Sequence, residues 1–366
     1  MKLDGVELRR IRMPLVTPFR TSFGTEVDRE VLLVRVFGEE VEGWGECVAA
    51  TEPLYSAEYV NGAEQVIRDF LLPRLPADVT ARGLGAAFAP VQGHPMAKAA
   101  VEMAVLDAEL RRSDLSYAAY LGATRTRVPA GVSVGIMDSI PELLDAVDAY
   151  LAQGYARIKL KIEPGWDLEP VRAVRERFGD ILLQVDANAA YARADLRHLA
   201  ALDPFELLLI EQPLPEEDLL GHARLAQALT TPICLDESIV SARAAADAIT
   251  LGACSIINVK AGRVGGYLEA RRIHDLCVGH GVPVWCGGML ETGLGRAANL
   301  AFAALPGCTL PGDVSASDRY YTRDITEPFR LQDGLMSVPS GPGLGVAPIP
   351  DILHEFTERT DLVRLP

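Results

Sequence analysis

Three features typical of secreted and membrane proteins are missing from this 366-residue sequence. No C-x-x-C spacing occurs, and a chain of this size is stable without disulfides. No uninterrupted apolar stretch reaches the ~20 residues that span a membrane, and the N-terminal MKLDGVELRR lacks the apolar run of a signal peptide. We therefore expect a cytoplasmic protein with reduced thiols at Cys47, Cys234, Cys254, Cys277, Cys286 and Cys308.

The sequence also has little positive charge. Its formal net charge is -15, its pI is near 4.9, and no basic run reverses this balance locally. Such a chain repels phosphate backbones and anionic lipid, so neither nucleic acid nor a membrane surface is an expected partner. A small molecule is the expected partner. A homo-oligomer is also expected, although no residue pattern identifies its interface.

The length indicates one large domain and one smaller domain. From about residue 128, short apolar strands alternate with amphipathic helical stretches, which is typical of βαβ units and predicts a closed α/β barrel at 126–318. The predicted strands are Val128–Val134, Arg157–Ile162, Leu182–Asp186, Leu207–Glu211, Ile233–Asp236, Ser255–Lys260, Pro283–Cys286 and Cys308–Leu310.

The first 125 residues follow a different pattern. They begin with the strand-like segments VELRRIRMPL and EVLLVRVFG and continue into helical segments around Ala57–Phe70 and Met96–Arg111. This order predicts an α+β domain at 1–125. The segment 319–366 is loop-like and rich in glycine and proline, and we expect it to pack on the N-terminal domain or on the outside of the barrel.

A charged residue stands at or near the C-terminal end of five successive predicted strands. These residues follow one another at spacings of 25, 25, 25 and 24, and they are Lys161, Asp186, Glu211, Asp236 and Lys260. Because barrel enzymes place their chemistry at this end of the strands, the spacing predicts that the five groups face one cavity. The alternative is that each charge begins a βα loop as a solvated or helix-capping group.

Asp186, Glu211 and Asp236 predict a site of hard oxygen ligands, with no histidine or cysteine beside them in sequence. Such a site suits Mg²⁺, with Mn²⁺ or Co²⁺ able to substitute, and does not suit zinc. Three protein ligands leave positions for water and for a bidentate anion. The substrate is therefore expected to carry a carboxylate.

Lys159 and Lys161 are two apart on one strand, so both ammonium groups should point into the cavity. Each cation disfavours the charge of the other, which we expect to lower the pKa of one lysine toward the range of ~7–8 that suits a general base. The alternative is an exposed edge strand. Lys260 lies across the barrel, with Asn258 two residues before it on the same face. A base on each side of a metal-bound carboxylate can remove a proton from one face and return it to the other.

The strand ends carry a resemblance that runs along essentially the whole chain. RIKLKI, LQVDAN, LIEQPL, CLDES and NVKAGRVGG resemble the muconate-lactonizing subgroup of the enolase superfamily. MPLVTPFRTSFG, GVSVGIM, WCGGMLETGLGR and LPGDVSASD resemble, within it, the o-succinylbenzoate synthase and N-acylamino acid (N-succinylamino acid) racemase family. One departure is Ala261, where the family pattern leads us to expect proline.

The resemblance implies a TIM-like (β/α)7β barrel under an N-terminal α+β capping domain. It implies Mg²⁺-dependent removal of the proton α to a carboxylate by way of an enediolate, leading to racemisation, to dehydration in menaquinone biosynthesis, or to both. Asp186, Glu211 and Asp236 are then the metal ligands, Lys161 and Lys260 the acid/base pair, and Lys159 the residue that tunes Lys161.

The capping domain is expected to supply loops that exclude water and select the substrate side chain. The expected substrate contacts are Phe19, Arg20, Phe23, Tyr55, Ser133, Asn188, Arg263, Gly288 and Met289. Arg263 is three residues after Lys260, so either it lowers the pKa of Lys260 or it is a structural loop residue. Dipeptide epimerisation and muconate-type cycloisomerisation are alternative activities, and a barrel that binds without catalysis is an alternative from another class.

Overall fold

The computed structural model describes residues 1–365, and the N-terminal part of the chain forms a cap of strands and helices. Its strands are Gly5–Thr21 (β1), Gly24–Phe37 (β2) and Glu42–Cys47 (β3), all antiparallel. Its helices are Val60–Val66 (α1), which continues through a π turn at Ile67–Leu71 and a 3₁₀ turn at Leu72–Arg74, then Ala81–Phe88 (α2), Pro95–Arg112 (α3) and Tyr117–Leu121 (α4).

Two glycines bring β3 against α3. A Cβ at Gly43 would lie 2.1 Å from the Ala104 carbonyl oxygen, and one at Gly45 would lie 2.1 Å from the Ala100 carbonyl oxygen. Because no side chain fits at either position, the strand backbone packs directly on the helix. The two predicted N-terminal strands and the helix near 96–111 are confirmed, whereas β3, α2 and α4 were not predicted.

The middle of the chain forms the predicted barrel. Over the described residues, seven parallel strands run in the spatial order β11-β10-β9-β8-β7-β6-β5. They are Gly131–Val134 (β5), Arg157–Lys161 (β6), Leu183–Asp186 (β7), Ile210–Glu211 (β8), Ile233–Leu235 (β9), Ile256–Val259 (β10) and Val284–Cys286 (β11). The α/β class and the capped barrel are thus confirmed.

The eighth predicted strand, Cys308–Leu310, differs from the prediction. Residues 308–312 are not a regular strand but make isolated parallel bridges, Val284 with Cys308 and Ala130 with Gly312. The Gly131 amide donates to the Gly312 carbonyl at 2.7 Å. This segment closes the barrel between β11 and β5, and its glycine and proline residues prevent a continuous ladder.

The first predicted strand also divides. Arg127–Pro129 (β4) pairs with Leu335–Ser337 (β12), and the barrel strand begins only at Gly131. Pro129 at the end of β4 is consistent with this break, because proline cannot donate to a continuing ladder.

Helices cover the outside of the barrel, and the sequence specifies many of their ends. Ser139, Asp167, Asp218, Ser241 and Thr292 each accept a backbone N–H at a helix start. The helices are Ile140–Gln153 (α5), Leu168–Phe178 (α6), Leu196–Leu199 (α7, between 3₁₀ turns at Arg193–Asp195 and Ala200–Phe205), Leu219–Ala228 (α8), Ala242–Leu251 (α9), Tyr267–His280 (α10) and Gly293–Ala303 (α11).

The C-terminal segment returns to the cap, as expected, but it is more regular than a loop. After a 3₁₀ turn at Ser317–Arg319 and β12, it forms Pro350–Phe356 (α12) and Thr357–Arg364 (β13). β13 pairs with β1, with Gly5 opposite Arg364, and completes a sheet in the order β13-β1-β2-β3. The boundaries 1–125, 126–318 and 319–366 stay predictions, and Pro366 lies outside the described residues.

Buried carboxylates join the cap to the barrel. Glu46 on β3 accepts hydrogen bonds from the amides of Thr292 and Gly295, each at 3.0 Å, at the start of α11. Glu102 on α3 accepts from the Leu268 amide, at 3.1 Å, at the start of α10. Each glutamate satisfies N–H groups that a helix start leaves free, so the cap is fixed to the barrel wall.

All six cysteines are buried free thiols. Among residues 1–365, no helix is long and apolar enough to cross a membrane. The cytoplasmic location and the homo-oligomeric state stay predictions.

Candidate active site

The five evenly spaced charged residues meet at one end of the barrel. Lys161, Asp186 and Glu211 are the last residues of β6, β7 and β8, and Asp236 and Lys260 directly follow β9 and β10. The exposed fractions of the two lysines are 7% and 5%, and those of the three carboxylates are 0%. The alternative that these charges are solvated loop residues is therefore wrong, because none of them lies in solvent.

Lys159 lies beneath the other charged groups. Its Nζ is 2.6 Å from Asp313 Oδ2, 3.1 Å from Glu211 Oε2 and 3.2 Å from Asp186 Oδ2, and it stands over the ring of Trp285. Burial opposes the charge of Lys159, but these carboxylates outweigh burial and hold its pKa well above the usual value. Lys159 is therefore not the lysine whose pKa falls.

On one side of the cavity, Lys161 is held by residues of the barrel. Its Nζ donates to Asp186 Oδ2 and to Asn188 Oδ1, each at 2.6 Å. The Asn188 amide nitrogen donates to Glu237 Oε1 at 2.8 Å. Two barrel residues thus bind this lysine directly, and a third, Glu237, binds Asn188 behind it.

On the other side, Lys260 is held by the barrel and the cap together. Its Nζ is 2.8 Å from Asp236 Oδ2 and donates to the Tyr55 hydroxyl at 3.1 Å. The Tyr55 hydroxyl lies 3.4 Å from Asp236 Oδ2, and the Tyr55 ring lies under the ammonium. Tyr55 precedes α1, so a cap residue completes this lysine's surroundings.

The pKa values of the three carboxylates shift in different directions. Burial opposes ionisation of Asp186 and Asp236, but neighbouring cations, chiefly Lys161 for the first and Lys260 for the second, hold both pKa values below the usual range. Burial, together with the charge of Asp186, raises the pKa of Glu211. Burial and the charge of Asp236 likewise raise the pKa of Glu237.

A single cavity joins both lysines to the cap. Of the residues predicted to contact substrate, it is lined by Phe19, Phe23, Tyr55, Ser133, Asn188, Gly288 and Met289. Lys159, Lys161 and Lys260 line it too, as do residues that were not predicted: Thr21, Gly24, Glu26, Arg29, Ala50, Leu290, Asp313 and Tyr320. The structure thus brings the lysines and most of the predicted contact residues to one chamber.

Two of the predicted contact residues do not line this cavity. Arg20 is paired with Glu163 at 3.2 Å and with Asp138 at 3.5 Å, and its carbonyl accepts from the Ile136 amide at 2.9 Å. It joins the end of β1 in the cap to the loops after β5 and β6 of the barrel.

Arg263 is buried behind the metal-ligand candidates. Its Nη2 binds Asp236 Oδ1 at 2.8 Å, and its Nη1 donates to the backbone carbonyls of Glu237 and Ile239. Although burial opposes the charge of Lys260, Asp236 and then Tyr55 raise its pKa well above the usual value. Asp236 pairs with both cations, and the expectation that Arg263 lowers the pKa of Lys260 stays a prediction.

Asp313 and Glu237 are two acidic residues near the lysines that sequence reasoning did not assign to the site. Asp313 binds Arg157 at 2.8 Å as well as Lys159. It stands in LPGDVSASD and Glu237 in CLDES, two segments already noted for their resemblance. An acidic residue that follows a strand end was the available signal for both.

Family models match both parts of the chain. Residues 5–122 match the mandelate racemase / muconate lactonizing enzyme N-terminal domain. Residues 142–352 match the enolase C-terminal domain-like family. The two matches together cover most of the chain and leave out residues 1–4, 123–141 and 353–366.

Individual relatives match over nearly the whole chain. An N-succinylamino acid racemase from Amycolatopsis is 68% identical over 98% of each chain. An o-succinylbenzoate synthase from Geobacillus kaustophilus is 48% identical over 94% of this chain and 93% of its own. A crystal structure of an enolase superfamily member from Listeria innocua superposes with a TM-score of 0.96, at 39% identity and full coverage of both chains. This chain therefore belongs to the enolase superfamily, within the family of N-succinylamino acid racemases and o-succinylbenzoate synthases.

Proposed function

We propose that this protein removes the proton α to the carboxylate of N-succinylamino acids, and so racemises them, dehydrates a related acid to o-succinylbenzoate, or does both. The observation that carries the proposal is the arrangement of Lys161 and Lys260. In strand order they flank Asp186, Glu211 and Asp236, and both line the same cavity. The racemase and synthase relatives supply the substrate class.

The three carboxylates fit a hard divalent cation, and members of the superfamily generally use Mg²⁺. Within residues 1–365, no three acidic, histidine or cysteine side chains already stand as a metal cluster, and lysine ammonium groups bind the carboxylates instead. Burial and the nearby charge of Asp186 raise the pKa of Glu211, and a bound cation would oppose that rise by favouring the ionised carboxylate. Asp186, Glu211 and Asp236 would hold Mg²⁺, which would stabilise the negative charge that develops on the substrate carboxylate.

The residues then divide the proton transfers between the two faces of the substrate. In racemisation, one lysine accepts the α-proton at its Nζ, and the ammonium of the other lysine returns a proton to the opposite face. In dehydration, Lys161 takes the α-proton and then protonates the departing hydroxyl on the same side, while Lys260 stays cationic. Lys159 supplies a fixed positive charge beside Asp186 and Glu211.

The cap limits access to this chemistry. Phe19 packs edge-on against Tyr320, and Phe23 packs against Tyr55 with ring centroids 5.7 Å apart. These rings form an apolar wall over the charged floor of the cavity. Such a wall excludes water and contacts the amino-acid side chain.

The test is activity toward matched substrates with and without metal. We expect racemisation of both enantiomers of N-succinyl amino acids or formation of o-succinylbenzoate, loss of activity in excess EDTA and recovery on addition of Mg²⁺. Dipeptides are the comparison substrates. Full activity in excess EDTA, or faster turnover of dipeptides than of every N-succinyl amino acid tried, would reject this function.

A further inference from the structure

We propose that Glu237 is a positioning residue that fixes the Lys161 ammonium through the side chain of Asn188, and so supports proton transfer at one face of the substrate. The proposal rests on the proposed function for its kinetic consequence. The bridge, which is the pair of hydrogen bonds Lys161–Asn188 and Asn188–Glu237, is itself a property of the structure. It runs from β6 through the loop after β7 to the loop after β9.

The chemistry of an amide makes this bridge directional. Asn188 accepts from Lys161 Nζ at 2.6 Å through Oδ1 and donates to Glu237 Oε1 at 2.8 Å through Nδ2. An amide has one acceptor end and one donor end, so a carboxylate that holds the donor end makes the acceptor end face the lysine. Without Glu237, the amide is free to rotate and to present N–H groups to the ammonium.

The backbone of Asn188 is built for this placement. Its φ is 42°, in the left-handed region that asparagine tolerates better than most residues. The backbone N–H of Asn188 donates to Asp186 Oδ1 at 3.0 Å. These two features hold the side chain between Lys161 and Glu237.

Glu237 has no comparable second task among residues 1–365. It is 5% exposed, and its Oε2 is buried without a hydrogen-bond partner. Arg263 binds the backbone carbonyl of Glu237 and not its carboxylate. A buried carboxylate is costly, so a role that depends on its one bonded oxygen explains why it stands there.

The bridge reaches only one of the two lysines. Lys260 Nζ binds Asp236 and Tyr55 and does not contact Asn188. The negative charge of Glu237 influences Lys260 as well. Loss of the hydrogen bond and loss of the charge therefore have different signatures, and a pair of variants separates them.

The experiment compares Glu237→Ala with Glu237→Gln. Exchange of the α-proton for deuterium is measured for each enantiomer of an N-succinyl amino acid in the Mg²⁺-loaded enzyme, and Lys260→Ala identifies the enantiomer that Lys161 serves. Glu237→Ala is expected to slow that exchange about ten- to a hundredfold relative to the other enantiomer. Glu237→Gln keeps an acceptor for Asn188 and is expected to leave the ratio of the two rates within about threefold of the parent.

A ratio unchanged in Glu237→Ala, or shifted equally in both variants, would overturn the proposal in favour of a structural or a purely electrostatic role. A folding defect slows both enantiomers alike. Crystal structures of the variants test the bridge without any substrate. Lys161 is expected to leave Asn188 Oδ1 in Glu237→Ala and to keep it in Glu237→Gln, and an unchanged contact in both would count against the bridge. A parent protein that neither exchanges either enantiomer nor forms o-succinylbenzoate would reject the proposed function, and these structures would still decide the bridge.

Discussion

The two sides of the cavity hold their lysines by different means. Lys161 is surrounded by Asp186 and Asn188, both from the barrel. Lys260 shares Asp236 with Arg263 and also binds Tyr55, which the cap contributes. One proton-transfer group is thus complete without the cap, whereas the other depends on how the cap is seated.

This difference has a consequence for how substrate selection and chemistry are connected. The cap wall that contacts the substrate side chain also contains the hydroxyl that binds Lys260. Loss of the Tyr55 hydroxyl should therefore disturb one face of the substrate more than the other. A change at Glu211, which binds Lys159 and Asn258 and neither of these two lysines, should disturb both faces equally.

Removing either lysine should have the largest effect, because it removes the proton-transfer group of one side and leaves the other. Lys260→Ala and Lys161→Ala are each expected to slow racemisation by roughly 10³-fold, the scale of general acid–base catalysis. Each variant should still exchange deuterium, slowly, into the one enantiomer served by the remaining lysine. Proton NMR in deuterated water measures both. Interconversion near the parent rate in either variant would point to a single mobile base.

Removing the Tyr55 hydroxyl should slow proton transfer on the Lys260 side more than on the Lys161 side. Tyr55→Phe keeps the ring over Lys260 but loses the hydrogen bond, so exchange at the Lys260 face is expected to slow roughly tenfold. The Lys161 face should change by less than about twofold. Phe23→Leu is the matched control, because it alters the same wall without contacting a lysine, and it should change KM for both enantiomers alike. Equal slowing of both faces in Tyr55→Phe would contradict the assignment.

Removing the ion pairs of Arg20 between the cap and the barrel should affect both sides weakly. Arg20 pairs with Glu163 and Asp138 at the surface, where ion pairs contribute about 0–1 kcal/mol. Arg20→Ala is expected to raise KM by a few fold with little change in kcat, and Glu163→Gln should behave similarly. A large loss of kcat in Arg20→Ala alone would indicate the direct substrate contact first expected for this residue.

The smallest effect concerns stability and involves Glu46, which joins the cap to the barrel. It should be the same for both sides of the cavity. Burial raises the pKa of Glu46 from 4.5 to about 7. Because the folded-state pKa is the higher one, the stability that this proton provides is complete below the unfolded pKa and is lost as the pH rises through about 7.

The free energy of unfolding of the parent should therefore fall by about 1 kcal/mol more than that of Glu46→Gln between about pH 6 and about pH 9. Urea unfolding at several pH values measures this difference. Parallel pH curves for parent and variant would show that Glu46 does not titrate in this range.

The sequence predicted the repeating βα units well. It predicted poorly the segments that close the barrel and complete the cap sheet. The alternation of apolar strands and amphipathic helices is local, so most of the barrel strands fell near their predicted places. The eighth strand was reduced to bridges at 308–312 because its pairing depends on two strands far away in sequence. β13 was missed because a short polar strand at an edge is stabilised only by the partner that it reaches, here β1.

By itself, the sequence determined which charged groups would meet. A charge at each strand end, repeated about every 25 residues, places the five groups together at one end of the barrel. Only the tertiary structure decided what each charge experiences there. From their closeness in sequence, Lys159 and Lys161 were expected to lower the pKa of one of the two, whereas Asp313, 154 residues away, raises the pKa of Lys159. Tyr55, 205 residues from Lys260, completes the surroundings of Lys260. The physical reason is range: periodicity is set by adjacent residues, whereas the pKa and orientation of a buried group are sums over every charge and dipole that folding brings near it.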